Sequence, residues 1–484
     1  MKRDDLCLDP VRERTLCLVI AAALHQLSPS ARVRIEHGFD EGLYCEFDGI
    51  SCDERLCAQM EARIRQIIAE DRPIVCRMME KEAAAQRFEA EGMKDKAANI
   101  RHAQARHCAV VRLCGMDDHL YGELLSRTGM LPETYVCRCK HGLWFGFHPR
   151  FHLQEKLFSV CDDFERWGRR LGINNVPQLN VAMADEGIDM IITMSEAQIE
   201  RQLVEVADAI VAAQPLRRFV LISGPSSAGK TTFSRRLKIH LRILGFHPQA
   251  LSMDDFFKDR SEYPRLADGT PDLESPKTLD LPLLSKTVKG LLAGAKMPIP
   301  SFDFIHGCRR WNGRTMCLRE HDILIMEGIH GLNPLIVQDF AREDFFRIYV
   351  NALTHLNLDE HTRIPTGDYR LIRRIVRDSR MRGSSAAQTL QHFPYVREGE
   401  ERHIYPFQEN ADIIFNTSLL YEMLILAPLA RAELEKVDAQ DEMYGQAQRL
   451  LSLLQYFDAA HDAHVPVYSL LAEFTGNSVF TTQD

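Results

Sequence analysis

Apolar positions recur at helical spacing from residue 12 to 27, where Leu16, Leu18, Val19, Ala22, Ala23 and Leu27 share one broad face, and Ser28-Pro-Ser30 ends the run. Arg32 to Asp48 then alternates apolar and polar like a strand pair, with its turn near Gly38 to Gly42. Leu56, Met60, Ile64 and Ile67 predict an amphipathic helix over Asp53 to Ala69. A strand at Ile74 to Met78 and one long charged helix at Glu80 to Arg106 follow, and residues 108–150 read as strands again. Residues 151–215 are mostly helical, and the amphipathic run Glu196 to Ala213 leads to Pro215, a natural boundary. Beyond it the pattern changes to short apolar strands followed by helices: Phe219 to Ser223 before a helix at Phe233 to Leu244, then strands at His247 to Met253 and Asp322 to Met326. That alternation predicts a parallel α/β sheet flanked by helices. Leu419 to Leu454 is again amphipathic and is expected to form a helical layer on that domain. The pattern divides the chain into an α+β domain (1–165), a helical linker (166–215), an α/β domain (216–420) and a helical extension (421–484).

Composition refines this only slightly. A chain of 484 residues, 45% hydrophobic and 26% charged, is an ordinary soluble globular one. Its net charge of −9 argues against general nucleic-acid binding. No apolar run approaches the roughly 20 residues needed to cross a bilayer, so a cytoplasmic protein is expected. Eleven of the 13 cysteines precede residue 165, and in such a chain they read as buried thiols rather than disulfides. Cys137, Cys139 and His141 lack the two separated ligand pairs of a zinc site; the alternation of Tyr135-Val-Cys-Arg-Cys139 reads as strand.

Candidate chemistry begins directly after the Phe219 strand. Gly224, Gly229, Lys230 and Thr231 fit G-x-x-x-x-G-K-[ST], the spacing of a triphosphate-binding P-loop. The backbone from Gly224 through Ser226, Ser227, Ala228 and Gly229 to Thr232 would aim N–H groups at phosphate oxygens from a helix N-terminus. Lys230 would reach the β/γ-phosphates, and the Thr231 hydroxyl would bind Mg²⁺. Two further strands end in acids. Asp254, after the His247 strand, is placed to take a proton from an attacking hydroxyl, with Asp255 beside it. Glu327, after the Asp322 strand, has the Walker-B position near Mg²⁺. Arg370, Arg373, Arg374 and Arg377 line one helical face suited to phosphates, with Arg380 and Arg382 beyond.

These motifs, in this order, resemble the uridine kinase and phosphoribulokinase family of P-loop kinases. Leu251-Ser-Met-Asp-Asp-Phe-Phe257 is similar to its Ser-x-Asp-x-Phe-Tyr motif, Ile299-Pro-Ser-Phe-Asp-Phe304 to its Pro-x-Tyr-Asp-Phe, and Arg370-Leu-Ile-Arg-Arg-Ile-Val-Arg-Asp378 to its arginine motif. The resemblance implies Asp254 as catalytic base, Arg373 and Arg382 neutralising charge on the transferring phosphoryl group, and Glu274, Phe302, Asp303, Arg309 and Arg370 on the acceptor. The family's base-recognising Tyr and His align with Phe302 and Gly307, so pyrimidine recognition is not carried over. Arg34-Ile-Glu-His-Gly-Phe-Asp-Glu-Gly-Leu-Tyr-Cys-Glu-Phe-Asp48 and the helix after it resemble the second additional domain of threonyl-tRNA synthetase. The editing histidines of that domain align with Leu18 and Ala22, which argues against editing. The insert Leu356 to Asp368 and the segments Val396-Arg-Glu-Gly-Glu400, Ile404-Tyr-Pro-Phe407 and Phe474-Thr-Gly-Asn-Ser478 make nearly the whole chain resemble bacterial two-domain uridine kinase-like proteins.

The expectation is ATP- and Mg²⁺-dependent phosphorylation of a small-molecule hydroxyl, foremost the 5′-hydroxyl of a nucleoside. A kinase for another alcohol, such as a sugar phosphate or pantothenate, is the first alternative. An RNA-binding or regulatory protein with an ATP switch, working through the N-terminal domain, is the second.

Overall fold

The computed structural model describes residues 9–480 apart from 267, 268, 305 and 355; the charged start at Met1 to Asp5 lies outside them. The chain folds as two compact units that do not follow chain order. One comprises residues 1–188, 354–368 and 423–461; the other comprises 189–353, 369–422 and 462–484. No helix among the described residues is long and apolar enough to cross a membrane.

The first unit is α+β. Its helix Pro10–Leu27 starts at Asp9, whose carboxylate accepts the Val11 N–H, and Leu16 to Leu24 are all buried. Leu18 and Ala22 are part of that core. An antiparallel sheet runs in the order Arg32–Phe39, Gly42–Asp48, Gly142–Gly146, Tyr135–Cys139. Cys137 and Cys139 are residues of its last strand. The long helix expected over Glu80 to Arg106 is instead two, Lys81–Ala90 and Lys94–His102. Gly92 lies between them at φ 84°, a left-handed conformation no helix interior accommodates. Residues 119–134, expected within strands, hold only the short turn Thr128–Met130.

The insert completes this unit. Ile35 N–H donates to Glu360 O (2.9 Å), Asn357 Nδ2 to Ile35 O (2.9 Å), and the buried His361 Nδ1 lies 2.8 Å from Asp118 Oδ2. The helices Glu422–Leu434 and Tyr444–Leu454 lie mainly here rather than on the α/β unit. Arg449 holds Asp368 through two bonds of 2.6 and 2.8 Å.

The second unit is built on a parallel sheet of five strands: β1 (Phe219–Ser223), β2 (His247–Ser252), β3 (Asp322–Glu327), β4 (Phe345–Asn351) and β5 (Ile413–Asn416). Their order is β5-β4-β1-β3-β2. β1 and β4 are wholly or almost wholly buried, as strands covered on both faces must be. Three helices matter for the site: α1 (Lys230–Ile243), α2 (Thr366–Met381) and α3 (Ala386–His403). Within the stretch expected as a helical linker, helix Ile188–Ala212 is tied to α1 by Arg236 Nη1 donating to Glu196 (3.1 Å).

Candidate active site

The carboxyl ends of β1, β2 and β3 are neighbours, so whatever follows each strand faces one crevice. After β1 comes the loop Gly224 to Gly229, then α1. A Cβ on Gly224 would stand 1.9 Å from the Val350 carbonyl oxygen of β4, so only glycine lets the loop leave the sheet here. The buried Lys230 ammonium turns back and donates to Gly224 O (2.9 Å) and Pro225 O (2.8 Å). Burial pushes its pKa down, while Glu327, Glu473, Asp254 and Glu400 hold it up. Among the described residues, the direct partners of this cation are thus carbonyls, with acids nearby.

After β2, Ser252 Oγ accepts the Asp254 N–H (3.2 Å) and starts a single turn, Met253–Phe256. Burial raises the Asp254 carboxyl pKa, with Lys230 opposing and Asp255 adding. Asp255 itself is engaged by Arg314 at 3.0 Å. At the end of β3, Glu327 accepts the Thr231 hydroxyl on one oxygen (3.4 Å), while its other oxygen is buried without a hydrogen-bond partner among the described residues. Burial pushes Glu327 up to about 7 despite Lys230. A hydroxyl and a half-satisfied carboxylate are hard oxygen donors of the kind Mg²⁺ takes, and the loop N–H groups suit a polyphosphate. The residues therefore fit Mg²⁺ and a triphosphate.

The arginine helix α2 divides by depth. Arg370 is buried and bidentate to Glu400, both bonds at 2.6 Å, with Tyr405 Oη 2.7 Å away. It also donates to Ser226 O (2.9 Å), while Glu400 accepts the Ser226 N–H (3.0 Å). Arg370, expected on the acceptor, thus lies buried with its guanidinium against the P-loop backbone. Arg373 is likewise buried, paired with Glu422 and donating to Thr417 O (2.9 Å) and Ser227 O (3.4 Å). Thr417 in turn donates to Ala228 O (2.7 Å). Arg373, expected to neutralise charge in transfer, thus lies buried against the loop backbone as well. Arg374 donates to Ser226 Oγ (3.0 Å), and Arg374, Arg377 and Arg382 share one carboxylate, Asp378, at 3.2, 2.7 and 3.7 Å. Three guanidiniums on one acid leave a positive surplus, and half of the Arg382 side chain stays exposed.

The remaining acceptor candidates gather less closely. Glu274 lies against Gly399, beside Glu400, and burial with Glu400 pushes it up to about 7. Phe302 packs edge-on to Phe257 (5.4 Å) and Phe304 (5.1 Å), an aromatic wall below Asp254 in sequence. Asp303 accepts the His306 N–H, which with the His306 ring draws its carboxyl down to about 2. Arg309 is engaged by Asp280 (2.9 Å) and by Phe257 O.

Sequence reading missed Glu400, Thr417, Glu422 and Glu473. Glu473 comes from the segment before the chain's end, and one of its oxygens accepts both the Thr232 N–H (3.2 Å) and the Thr232 hydroxyl (2.8 Å). Phe474 is buried under Arg373 at 5.0 Å, and Arg380 donates to Thr475 O (2.8 Å). The only signal was at Glu400, which ends the segment Val396–Glu400 quoted for the resemblance, without a motif role.

Residues 219–419 match the family described as Phosphoribulokinase / Uridine kinase. A uridine kinase of Deinococcus deserti is 26% identical over 201 residues, which is 41% of this chain and 87% of that protein. A uridine kinase of Staphylococcus haemolyticus is 27% identical over 194 residues, 40% of this chain and 84% of that one. The solved structure of a possible uridine kinase from Bacillus stearothermophilus aligns with 45% of this chain and 98% of its own, at 21% identity and a TM-score of 0.30. With its P-loop, its parallel sheet and this match, the C-terminal half of the chain carries a P-loop kinase domain of the phosphoribulokinase/uridine kinase family.

Proposed function

We propose that the chain transfers a phosphoryl group from ATP to a hydroxyl of a small molecule, the 5′-hydroxyl of a nucleoside. One observation carries this reading: the P-loop, Asp254 and Glu327 follow three adjacent strands at one sheet edge, so a nucleotide site and an acidic acceptor site share a crevice. ATP with Mg²⁺, held by the loop amides, Lys230, Thr231 and Glu327, supplies the phosphoryl group and a divalent charge on its oxygens. The chain does the rest. Asp254, its pKa raised by burial, accepts the proton of the attacking hydroxyl. Arg374, Arg377 and Arg382 hold a positive surplus toward the loop and offset charge spread over phosphate oxygens. Glu274 and Asp303 offer carboxyls to acceptor hydroxyls, and the Phe257–Phe302–Phe304 wall offers an apolar face. The relatives named uridine kinases support a nucleoside as acceptor.

We read the first unit as a synthetase-like fold without editing chemistry, because Leu18 and Ala22 are core residues there. The test is turnover of ATP with a panel of nucleosides, sugar phosphates and pantothenate. Phosphorylation of a nucleoside supports the reading. Turnover of only a non-nucleoside alcohol replaces the acceptor, and turnover of none refutes the kinase.

A further inference from the structure

The turn after β3 holds a side chain that the site above does not use. His330 is 2% exposed, and both its ring nitrogens are buried without a hydrogen-bond partner among the described residues. The backbone around it is fixed. Gly328 N–H donates to Ile222 O (3.1 Å), the Ser223 hydroxyl donates to Ile329 O (2.9 Å), and Asn333 N–H donates to His330 O (2.9 Å). Because β3 lies between β1 and β2, this turn opens between the P-loop on one side and Asp254 on the other.

Two titratable neighbours act on the imidazole besides burial: His403, whose ring stands edge-on at 6.2 Å, and Lys230. All three keep His330 neutral, with its pKa down to about 3. His403 hangs from the end of α3, where Asn333 Nδ2 donates to its carbonyl (3.3 Å), and it feels Asp272 and Lys277, which flank Glu274 in sequence. A neutral imidazole carries one donor and one acceptor. Burying both unpaired costs free energy that a leucine would not, so packing alone does not account for a histidine here.

We propose that His330, with His403 beside it, binds the acceptor: the imidazole gives its N–H and its lone pair to one uncharged polar group, a hydroxyl or an amide–carbonyl edge, of a molecule seated between the P-loop and Asp254. The assignment rests on the kinase reading. It favours a neutral acceptor over an anionic one, because a neutral ring cannot offset a charge.

The test compares wild type with His330→Leu and His330→Gln, using the alcohol that wild type phosphorylates. The Leu variant is expected to raise the acceptor KM about 10-fold or more, as loss of a buried polar contact does, while the ATP KM moves less than about 2-fold. Its Tm should stay level or rise, since an unpaired buried ring is gone. The Gln variant, which keeps a donor and an acceptor, should recover part of the acceptor KM. An unchanged acceptor KM in the Leu variant overturns the assignment, as does a fall in Tm with both KM values rising together, which marks a core side chain holding a buried water. A wild type that phosphorylates no alcohol overturns the kinase reading, and this assignment with it.

Discussion

Glu400→Ala tests whether the P-loop is held by the charges behind it. In the native chain Glu400 and Arg370 are both essentially inaccessible, joined by two bonds of 2.6 Å, and the same carboxylate accepts the Ser226 N–H at 3.0 Å. Removing the acid leaves a buried guanidinium with, among the described residues, Tyr405 Oη and Ser226 O as partners. Breaking a buried pair from one side costs about 3–5 kcal/mol. At ~2–4 °C per kcal/mol for a unit of 150–250 residues, Tm should fall by about 6–20 °C. The double variant Arg370→Met/Glu400→Leu removes both charges together and should recover most of that loss, since paired replacement by apolar groups is often neutral. Nucleotide binding should behave differently. Both variants free the Ser226 N–H from its carboxylate, so the ATP affinity of the double variant should stay changed even where its stability returns. Denaturant midpoints at equal m-value and calorimetric ATP titration measure the two separately. A loss under 1 kcal/mol in Glu400→Ala would refute the argument, because it would mean that Arg370 finds water or another acid.

Three further outcomes are expected. Asp254→Asn should bind ATP as wild type does but lose about 10²–10⁴-fold in kcat, read by single-turnover transfer; normal turnover removes Asp254 from the role of base. Glu274 has a folded pKa of about 7 against an ordinary 4.5, so the stability it contributes is complete below about pH 4.5 and is lost as pH rises through 7. Relative to Glu274→Gln, wild type should therefore lose up to about 3 kcal/mol between those limits, and parallel stability profiles of the two proteins would contradict the shift. Glu473→Gln should bind ATP about 2–5-fold more tightly, because a carboxylate at a helix N-terminus is worth about 0.3–1 kcal/mol and competes with phosphate for the same donors. Unchanged or weaker binding in a fluorescent-nucleotide titration would show that the carboxylate is not in the way.

What could be read from the sequence was local. The P-loop is legible because its glycines, Lys230 and Thr231 lie within eight residues between a strand and a helix. Asp254 and Glu327 are legible because each ends an apolar run of strand length. β4 and β5 were not anticipated: Phe345–Asn351 is interrupted by Arg347, and Ile413–Asn416 spans only four residues. The arginine helix was found, but not the direction its side chains take. Periodicity puts Arg370 and Arg373 on one face with Arg374; it cannot say that Glu400 and Glu422, 30 and 49 residues further along, draw the first two inward. Thr232 meets Glu473 across 241 residues, a contact no spacing rule reaches. The break at Gly92 was legible in principle, since a glycine inside a charged helical run is a place where the helix can end.

The interleaving of the two units has a consequence for dissection. The chain passes from one to the other at 188/189, 353/354, 368/369, 422/423 and 461/462. No single cut therefore leaves one whole unit, and nothing of the other, in each fragment. A fragment ending at Ile188 lacks the Asn357 and Glu360 that bond to Ile35, and a fragment starting at Asp189 carries those residues, and the helices after Glu422, without the surface they cover. Neither half can be moved into another gene by one crossover.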